Sequence, residues 1–302
     1  MIDPKLLKQF HVEPGSEVDL KKYVTDWTET ENAKELGEDV IKERAAAILE
    51  ESKVKLSEAQ DLLYASDTHS VLLIFQAMDA AGKDGTIRHV MSGVNPQGCQ
   101  VFSFKKPSAE ELDHNFLWRY MKALPERGRI GIFNRSYYED VLVVKVHPEW
   151  LGPGAPAKPD KKFWEKRYED INNFEKHISR NGTLVLKFFL HLSKDEQRRR
   201  FLDRLTDPNK HWKFSDADLA EREHWKDYQK AFESATSATS TKRAPWHIIP
   251  ADRKYVARAL VADIIITAIQ GLKLEYPKVS EAQMAVLAAA KETLEKQGKD
   301  GK

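Results

Sequence analysis

Four short, unbroken apolar runs recur along the chain, at 71–75 (VLLIF), 130–133 (IGIF), 183–190 (TLVLKFFL) and 246–250 (WHIIP), and a stretch with helical spacing separates each from the next. A short run with no polar alternation suits a strand buried on both sides, and strands alternating with helices imply a parallel sheet covered on both faces. The expected fold is therefore α/β. A helix rich in Glu, Lys, Ala and Leu, at about 33–64, leads into the first strand, and crossover helices are expected at 85–94, 109–124, 161–180, 194–205 and 254–272. With 302 residues, 41% of them hydrophobic and 31% charged, the chain can bury such a core in one large domain or one domain with an appended subdomain.

Two segments interrupt the alternation. Residues 152–159 (GPGAPAKP) form a loop by composition, and 206–241, polar, charged and aromatic between two core strands, reads as a lid over the sheet. The division is then an N-terminal extension and helix at 1–64, a core at 65–277 that contains the lid, and a charged tail at 278–302. No stretch of about 18 uncharged apolar residues occurs, and the opening Met1-Ile2-Asp3-Pro4-Lys5 lacks the pattern of a signal peptide, so a cytoplasmic protein without a membrane span is expected. Cys99 is the single cysteine and the ten histidines have no metal-ligand spacing, which argues against structural zinc. With 48 Lys and Arg against 47 Asp and Glu, the formal charge of +1 excludes a general nucleic-acid binder, and any polyanion must be held by a local concentration of charge.

Such a concentration has a place to form. After the first apolar run comes Ala77-Met78-Asp79-Ala80-Ala81-Gly82-Lys83-Asp84-Gly85-Thr86 and then a helical pattern: strand, tight turn of small residues, helix, the context of a phosphate-binding loop. Small residues let the backbone wrap phosphate oxygens, the helix adds its N-terminal amides, and Lys83 adds a full charge. The match to GxxxxGK[ST] is imperfect, with Ala77 at the first glycine position and Asp84 where Ser or Thr binds magnesium. Asp79 lies inside the loop. A carboxylate beside phosphates repels them unless a divalent cation lies between, which points to Mg2+ at Asp79. A glycine turn with a solvated lysine is the plainer reading of a lone Gly-Lys; the surrounding strand and helix weigh against it.

A second cluster, Asn134-Arg135-Ser136-Tyr137-Tyr138-Glu139-Asp140, stands at the end of another run, where ligands gather in parallel sheets. Arg135 would neutralise phosphate oxygens, Glu139 or Asp140 could ligate or support a metal, and Tyr137 and Tyr138 read as packing residues. The third cluster runs from Gln197 to Leu205. Arg200 and Arg204, four apart, share a helix face and are expected to contact phosphate with Lys210 and Lys213; Leu202 and Leu205 are available for the core side, and Arg198 and Arg199 read as solvated.

Together, DAAGKDGTI, IFNRSYYEDVLVV and the span from FFLHLSKDEQRRRFLDRL through DPNKHWKF resemble the motifs of family-two polyphosphate kinases over roughly residues 62–277, and the FNRSYYEDVLVV form with GVNPQG at 93–98 is most similar to the class accepting both AMP and ADP. The resemblance implies a three-layer α/β sandwich with a thymidylate-kinase-like core and a helical lid. It also implies an enzyme moving phosphate reversibly between inorganic polyphosphate and ADP, AMP or ATP, and a homo-oligomer. By motif position it implies Asp79 and Lys83 in the phosphate loop, Asn134 and Arg135 in the second motif, and Arg200 and Arg204 at the lid base; Asn134 departs from the Asp of other branches. Ala80, Ala81, Gly82, Asp84, Gly85, Thr86 and Arg88 complete the expected phosphate-binding set, with Asp79 and Glu139 the candidate metal ligands. An ATP-dependent nucleoside or nucleotide kinase needs the same parts without a channel for a long anion, for which Arg88, Lys105, Lys106 and Arg119 are candidates. A non-catalytic nucleotide sensor would not need Asp79, Lys83 and Arg135 together.

Overall fold

The computed structural model describes residues 2–300. Strands β1 (Ser70–Ala77), β2 (Cys99–Ser103), β3 (Ile130–Asn134), β4 (Thr183–His191) and β5 (Trp246–Pro250) form one parallel sheet in the order β2-β3-β1-β4-β5. The principal helices are α1 (Glu38–Ser66), α2 (Lys83–Val90), α3 (Lys161–Arg180), α4 (Lys194–Thr206), α5 (Asp216–Glu223), α6 (Trp225–Thr239), α7 (Lys254–Gln270) and α8 (Glu281–Asp300). Successive strand side chains point to opposite faces. Val71, Leu73 and Phe75 accordingly enter a core closed by Leu63 of α1, Val90 of α2 and Leu260 of α7, while Leu72 and Ile74 enter another closed by Ile171 and Phe174 of α3 and Phe232 of α6. Two cores, one on each face, make the molecule a three-layer α/β sandwich. From β1 the chain moves to one side of the sheet, and from β3 it crosses β1 to reach β4 and β5, so a crevice opens at the carboxyl ends of β1, β3 and β4.

Each face is set by sequence spacing. In α3, Trp164, Tyr168, Ile171, Phe174 and Ile178 are buried at intervals of three and four, and the Asp160 side chain caps the helix by accepting from the Phe163 amide. Beneath it Lys187 of β4 and Glu175 are fully buried as a pair. The Lys187 ammonium donates to Glu175 Oε2 at 2.7 Å, the Tyr138 hydroxyl at 2.8 Å and the Thr239 carbonyl at 2.7 Å, and Glu175 Oε1 accepts from the Tyr137 and Tyr138 hydroxyls at 2.9 and 2.8 Å. All three ammonium protons are used, which is the condition for tolerating a buried charge. Tyr137 and Tyr138 are thus packed as expected, and their hydroxyls fix the segment after β3.

One strand lies outside the sequence expectations and three expectations change. β2 is an edge strand, half exposed along its length, and its short mixed sequence gives no continuous apolar run. Residues 109–124 hold two single turns, Ala109–Leu112 and Trp118–Met121, instead of a crossover helix; between them the Asn115 side chain accepts from the Leu117 amide and closes a local turn. The 206–241 excursion divides: the turn Pro208–Lys213 and α5 have no buried residue, whereas α6 buries Tyr228, Ala231, Phe232 and Ala235 and is a core helix, not lid. On α4 the buried residues are Gln197, Arg200 and Phe201, while Leu202 and Leu205 are about half exposed, so the polar face turns inward. The N-terminal segment also joins the core: Val12 and Leu20 are buried, and His11 pairs antiparallel with His247 of β5.

Candidate active site

The loop from Asp79 to Gly82 leaves β1 and opens α2. Gly82, at φ +98°, is left-handed and caps the helix; Ala80, at φ +62°, is left-handed without being glycine, a strain that must be held by its surroundings. α4 provides the restraint. Gln197 Nε2 donates to the Asp79 carbonyl at 3.0 Å, and Arg200 Nη1 donates to the carbonyls of Ala80 and Ala81 at 3.0 and 2.8 Å. Three consecutive loop carbonyls are thereby turned toward α4. Gly82, Lys83, Asp84 and Gly85, whose amides include the helix's unpaired first donors, line the cavity. Lys83 Nζ donates to the Ala77 carbonyl at 3.0 Å; burial and nearby Arg135 lower its pKa, and the carboxylates of Asp79, Glu139 and Asp84 oppose that shift.

The cavity, about 750 Å³, is lined by ten lysines and arginines against three aspartates, the local charge that a +1 molecule needs to hold a polyanion. It contains Ala80, Ala81, Thr86, Asn134, Arg135, Arg204, Lys210 and Lys213 besides the loop residues above. A second, smaller cavity of about 190 Å³ lies behind it, with Trp150, Tyr228 and Phe232 on its walls and Asp218, Glu221 and Arg222 of α5 closing it. Asp79 and Arg135 are the two residues that line both. Arg135, left-handed at φ +66°, places one Nη 3.3 Å from Asp79 Oδ1 and the other 3.4 Å from Glu139 Oε2. Glu139, more than any other group, raises its pKa. A larger groove, about 1160 Å³, lies between residues 17–26 and α6 and has no phosphate loop on its walls.

Several of the expected site residues also bond to the protein itself. Arg200, on the cavity wall, has all its donors engaged with the protein: Nε bonds Glu196 at 2.6 Å, Nη1 the two loop carbonyls, and Nη2 the carbonyls of Ala251 and Asp252 at 2.6 and 3.1 Å, so it clamps the loop. Arg204 reaches the Lys213 carbonyl at 3.1 Å and Asp218 at 3.3 Å, tying α4 to the lid. Arg88 is exposed on α2 and off the cavity wall. Arg119 is tucked against Phe104 and Tyr120 and donates to the Lys105 carbonyl at 2.8 Å, so it supports the rim. Asn134 Nδ2 donates to Asp84 and, at 3.4 Å, to Ser103, bridging loop helix and sheet edge. Lys210 pairs with Asp207 at 2.9 Å. Among the described residues no three His, Cys, Asp or Glu side chains are grouped to hold a metal. Gln197, Lys254 and Arg258 escaped the sequence reading. Gln197 lies one turn before Arg200, and Lys254 with Arg258, four apart, follow the carboxyl end of β5, so helical spacing and the strand-end rule together point to them.

A parallel sheet in this order, with a strand–loop–helix phosphate cradle and cations converging on it, defines a phosphotransferase of the P-loop kinase fold. The polyphosphate kinase 2 (PPK2) family model matches residues 39–277, and the chain belongs to that family. It is 52% identical over 290 residues, 95% of this chain and 98% of the other, to an ADP-polyphosphate phosphotransferase of Rhodopseudomonas palustris. It is 43% identical over 281 residues, 93% of this chain and 99% of the other, to an AMP/ADP-polyphosphate phosphotransferase of Meiothermus ruber. The crystal structure of polyphosphate kinase 2 from Arthrobacter aurescens TC1 superposes with a TM-score of 0.82 at 39% identity, covering 93% of this chain and 96% of that one.

Proposed function

We propose that the protein transfers the terminal phosphate of inorganic polyphosphate to ADP and to AMP, reversibly, with polyphosphate in the larger cavity and the nucleotide in the smaller. The observation that carries this reading is the meeting of the two cavities at Asp79 and Arg135 alone. Two polyanions entering from opposite sides come together there, as in-line transfer requires. Lys105 and Lys106 on one rim and Lys254 and Arg258 on the other extend the basic lining beyond the loop, which a long anion needs and an ATP donor does not. The attacking phosphate oxygen is already an anion, so the reaction asks for charge neutralisation and alignment more than for a base. Lys83 and Arg135 supply the charge, while Gln197 and Arg200 hold the loop that aligns it. The aromatic walls of the smaller cavity suit a base, and its outer wall, α5, is the part of the lid that would move aside to admit one.

Mg2+ fits the residues present. It is typically held by one or two carboxylates and completes its shell with phosphate oxygens and water. Asp79, in the loop and a third exposed, provides such a ligand, with Glu139 the second candidate across Arg135. When bound, the ion would screen phosphate charge beside Asp79. We place the protein in the cytoplasm, where nucleotides and polyphosphate coexist; no helix among the described residues is long and apolar enough to cross a membrane. A homo-oligomer remains part of the proposal.

The two-cavity assignment is tested by splitting KM values. Lys105→Ala with Lys106→Ala should raise KM for long polyphosphate about 10-fold and leave KM for ADP near that of the parent, and Trp150→Ala should do the reverse, since lost ground-state contacts appear in KM of the substrate that made them. Equal effects on both substrates would place the two in one cavity and contradict the assignment.

A further inference from the structure

We propose that Gln197 is a positioning residue that couples the lid helix α5 to the phosphate loop, with Arg222 as the lid end of the link. The proposal rests on the phosphate-transfer reading above. Gln197 is 1% exposed, and its amide is used at both ends: Nε2 donates to the Asp79 carbonyl at 3.0 Å, and Oε1 accepts from Arg222 Nη1 at 2.8 Å. The same Nη1 donates to the Lys194 carbonyl at 2.7 Å. Among the described residues no carboxylate lies within ion-pair distance of Arg222, so α5 is held to α4 at this point by neutral acceptors, which release more readily than a carboxylate.

The link ends where the chemistry is placed. Asp79 lines both cavities and its side chain meets Arg135, so a shift of its carbonyl moves the carboxylate and the guanidinium on which alignment depends. Arg222 lines the smaller cavity, beside the proposed nucleotide. Lid closure that seats Arg222 on Gln197 therefore also seats Gln197 on the loop. Glutamine is suited to this because one amide gives and accepts at once; glutamate keeps the acceptor and loses the donor, and leucine loses both.

The test uses the full chain with polyphosphate, ADP and Mg2+. Gln197→Leu, Gln197→Glu, Arg222→Met and the Leu/Met double variant are compared for kcat, for both KM values and for melting temperature, with Leu202→Ala, at a half-exposed position of α4 off both cavity walls, as the control. Gln197→Leu and Gln197→Glu should each lower kcat about 10²-fold, the cost of a misaligned site, with KM for polyphosphate changed by less than about threefold. Arg222→Met should lower kcat by about 10-fold, and the double variant should fall no further than Gln197→Leu alone, because both residues act through one link. Should Gln197→Leu fail to fold, Gln197→Glu, of nearly equal size, carries the loop end of the test and is combined with Arg222→Met in its place. Losses that multiply in the double variant, a kcat for either Gln197 variant within about threefold of the parent, or activity that tracks melting temperature alone would overturn the coupling. A parent enzyme that transfers nothing from polyphosphate would instead overturn the functional reading on which the coupling rests.

Discussion

Arg200 engages five donors with four backbone carbonyls and Glu196, and burial lowers its pKa. Lysine cannot reproduce that fork. Arg200→Lys should lower kcat about 10²-fold through a displaced loop while KM for polyphosphate stays within a few fold, as steady-state kinetics would show; a large rise in KM for polyphosphate would instead restore Arg200 to the phosphate contact that its sequence position suggests. The sequence identifies the loop, the second motif and this arginine as belonging to one site. It does not separate contact from clamp, because that distinction depends on where the carbonyls of Ala80, Ala81 and Ala251 point. Helical spacing places Gln197 one turn before Arg200, but nothing in a lone glutamine reports that both ends of its amide are engaged.

At the scale of elements, α4 turns Arg200 and Gln197 inward and Leu202 and Leu205 outward, opposite to what hydropathy alone suggests. Phe201, 3% exposed, is its apolar anchor. Phe201→Ala should cost about 3–5 kcal/mol in denaturant unfolding, whereas Leu202→Asp and Leu205→Asp should each stay within about 0.5 kcal/mol; the opposite ranking would mean the helix is rotated. Glu175→Leu leaves the buried Lys187 charge without its partner and should cost about 3–5 kcal/mol. Strands β1, β3, β4 and β5 were legible because burial on two faces leaves continuous apolar runs; the edge strand β2 was not, since exposure removes the signal. Two of these strands also carry histidines that burial keeps neutral, His191 with its pKa lowered to about 4 and His247 to about 3. Unfolded histidine titrates near 6.5, so between about pH 6.5 and 4 the unfolded chain binds more protons and stability falls as pH falls. Asp140, raised to about 6 by burial, acts in the opposite sense between its ordinary value and 6. The contribution of one group is therefore read by difference: a non-titrating His247→Gln variant should lose less stability than the parent over that acid range, and an equal loss would contradict a neutral buried His247.

For the whole molecule, a net charge of +1 hides a strongly polar distribution, with ten cations around one cavity. Screening acts on that local field, within a Debye length of about 8–10 Å at ordinary salt. KM for long polyphosphate should therefore rise several-fold between low and physiological ionic strength, more steeply than KM for ADP, and equal slopes would argue against a cationic channel for the donor. Composition makes such a concentration necessary for a polyanion binder but cannot place it; the sheet order does, by bringing the ends of β1, β3 and β4 to one crevice. The central claim is the donor. Purified protein, freed of adenylate kinase, incubated with Mg2+, ADP and long-chain polyphosphate should form ATP by luciferase readout, with Lys83→Ala lowering the rate by about 10³-fold or more; no ATP from polyphosphate, together with phosphorylation of a nucleoside or nucleotide from ATP, would contradict the account.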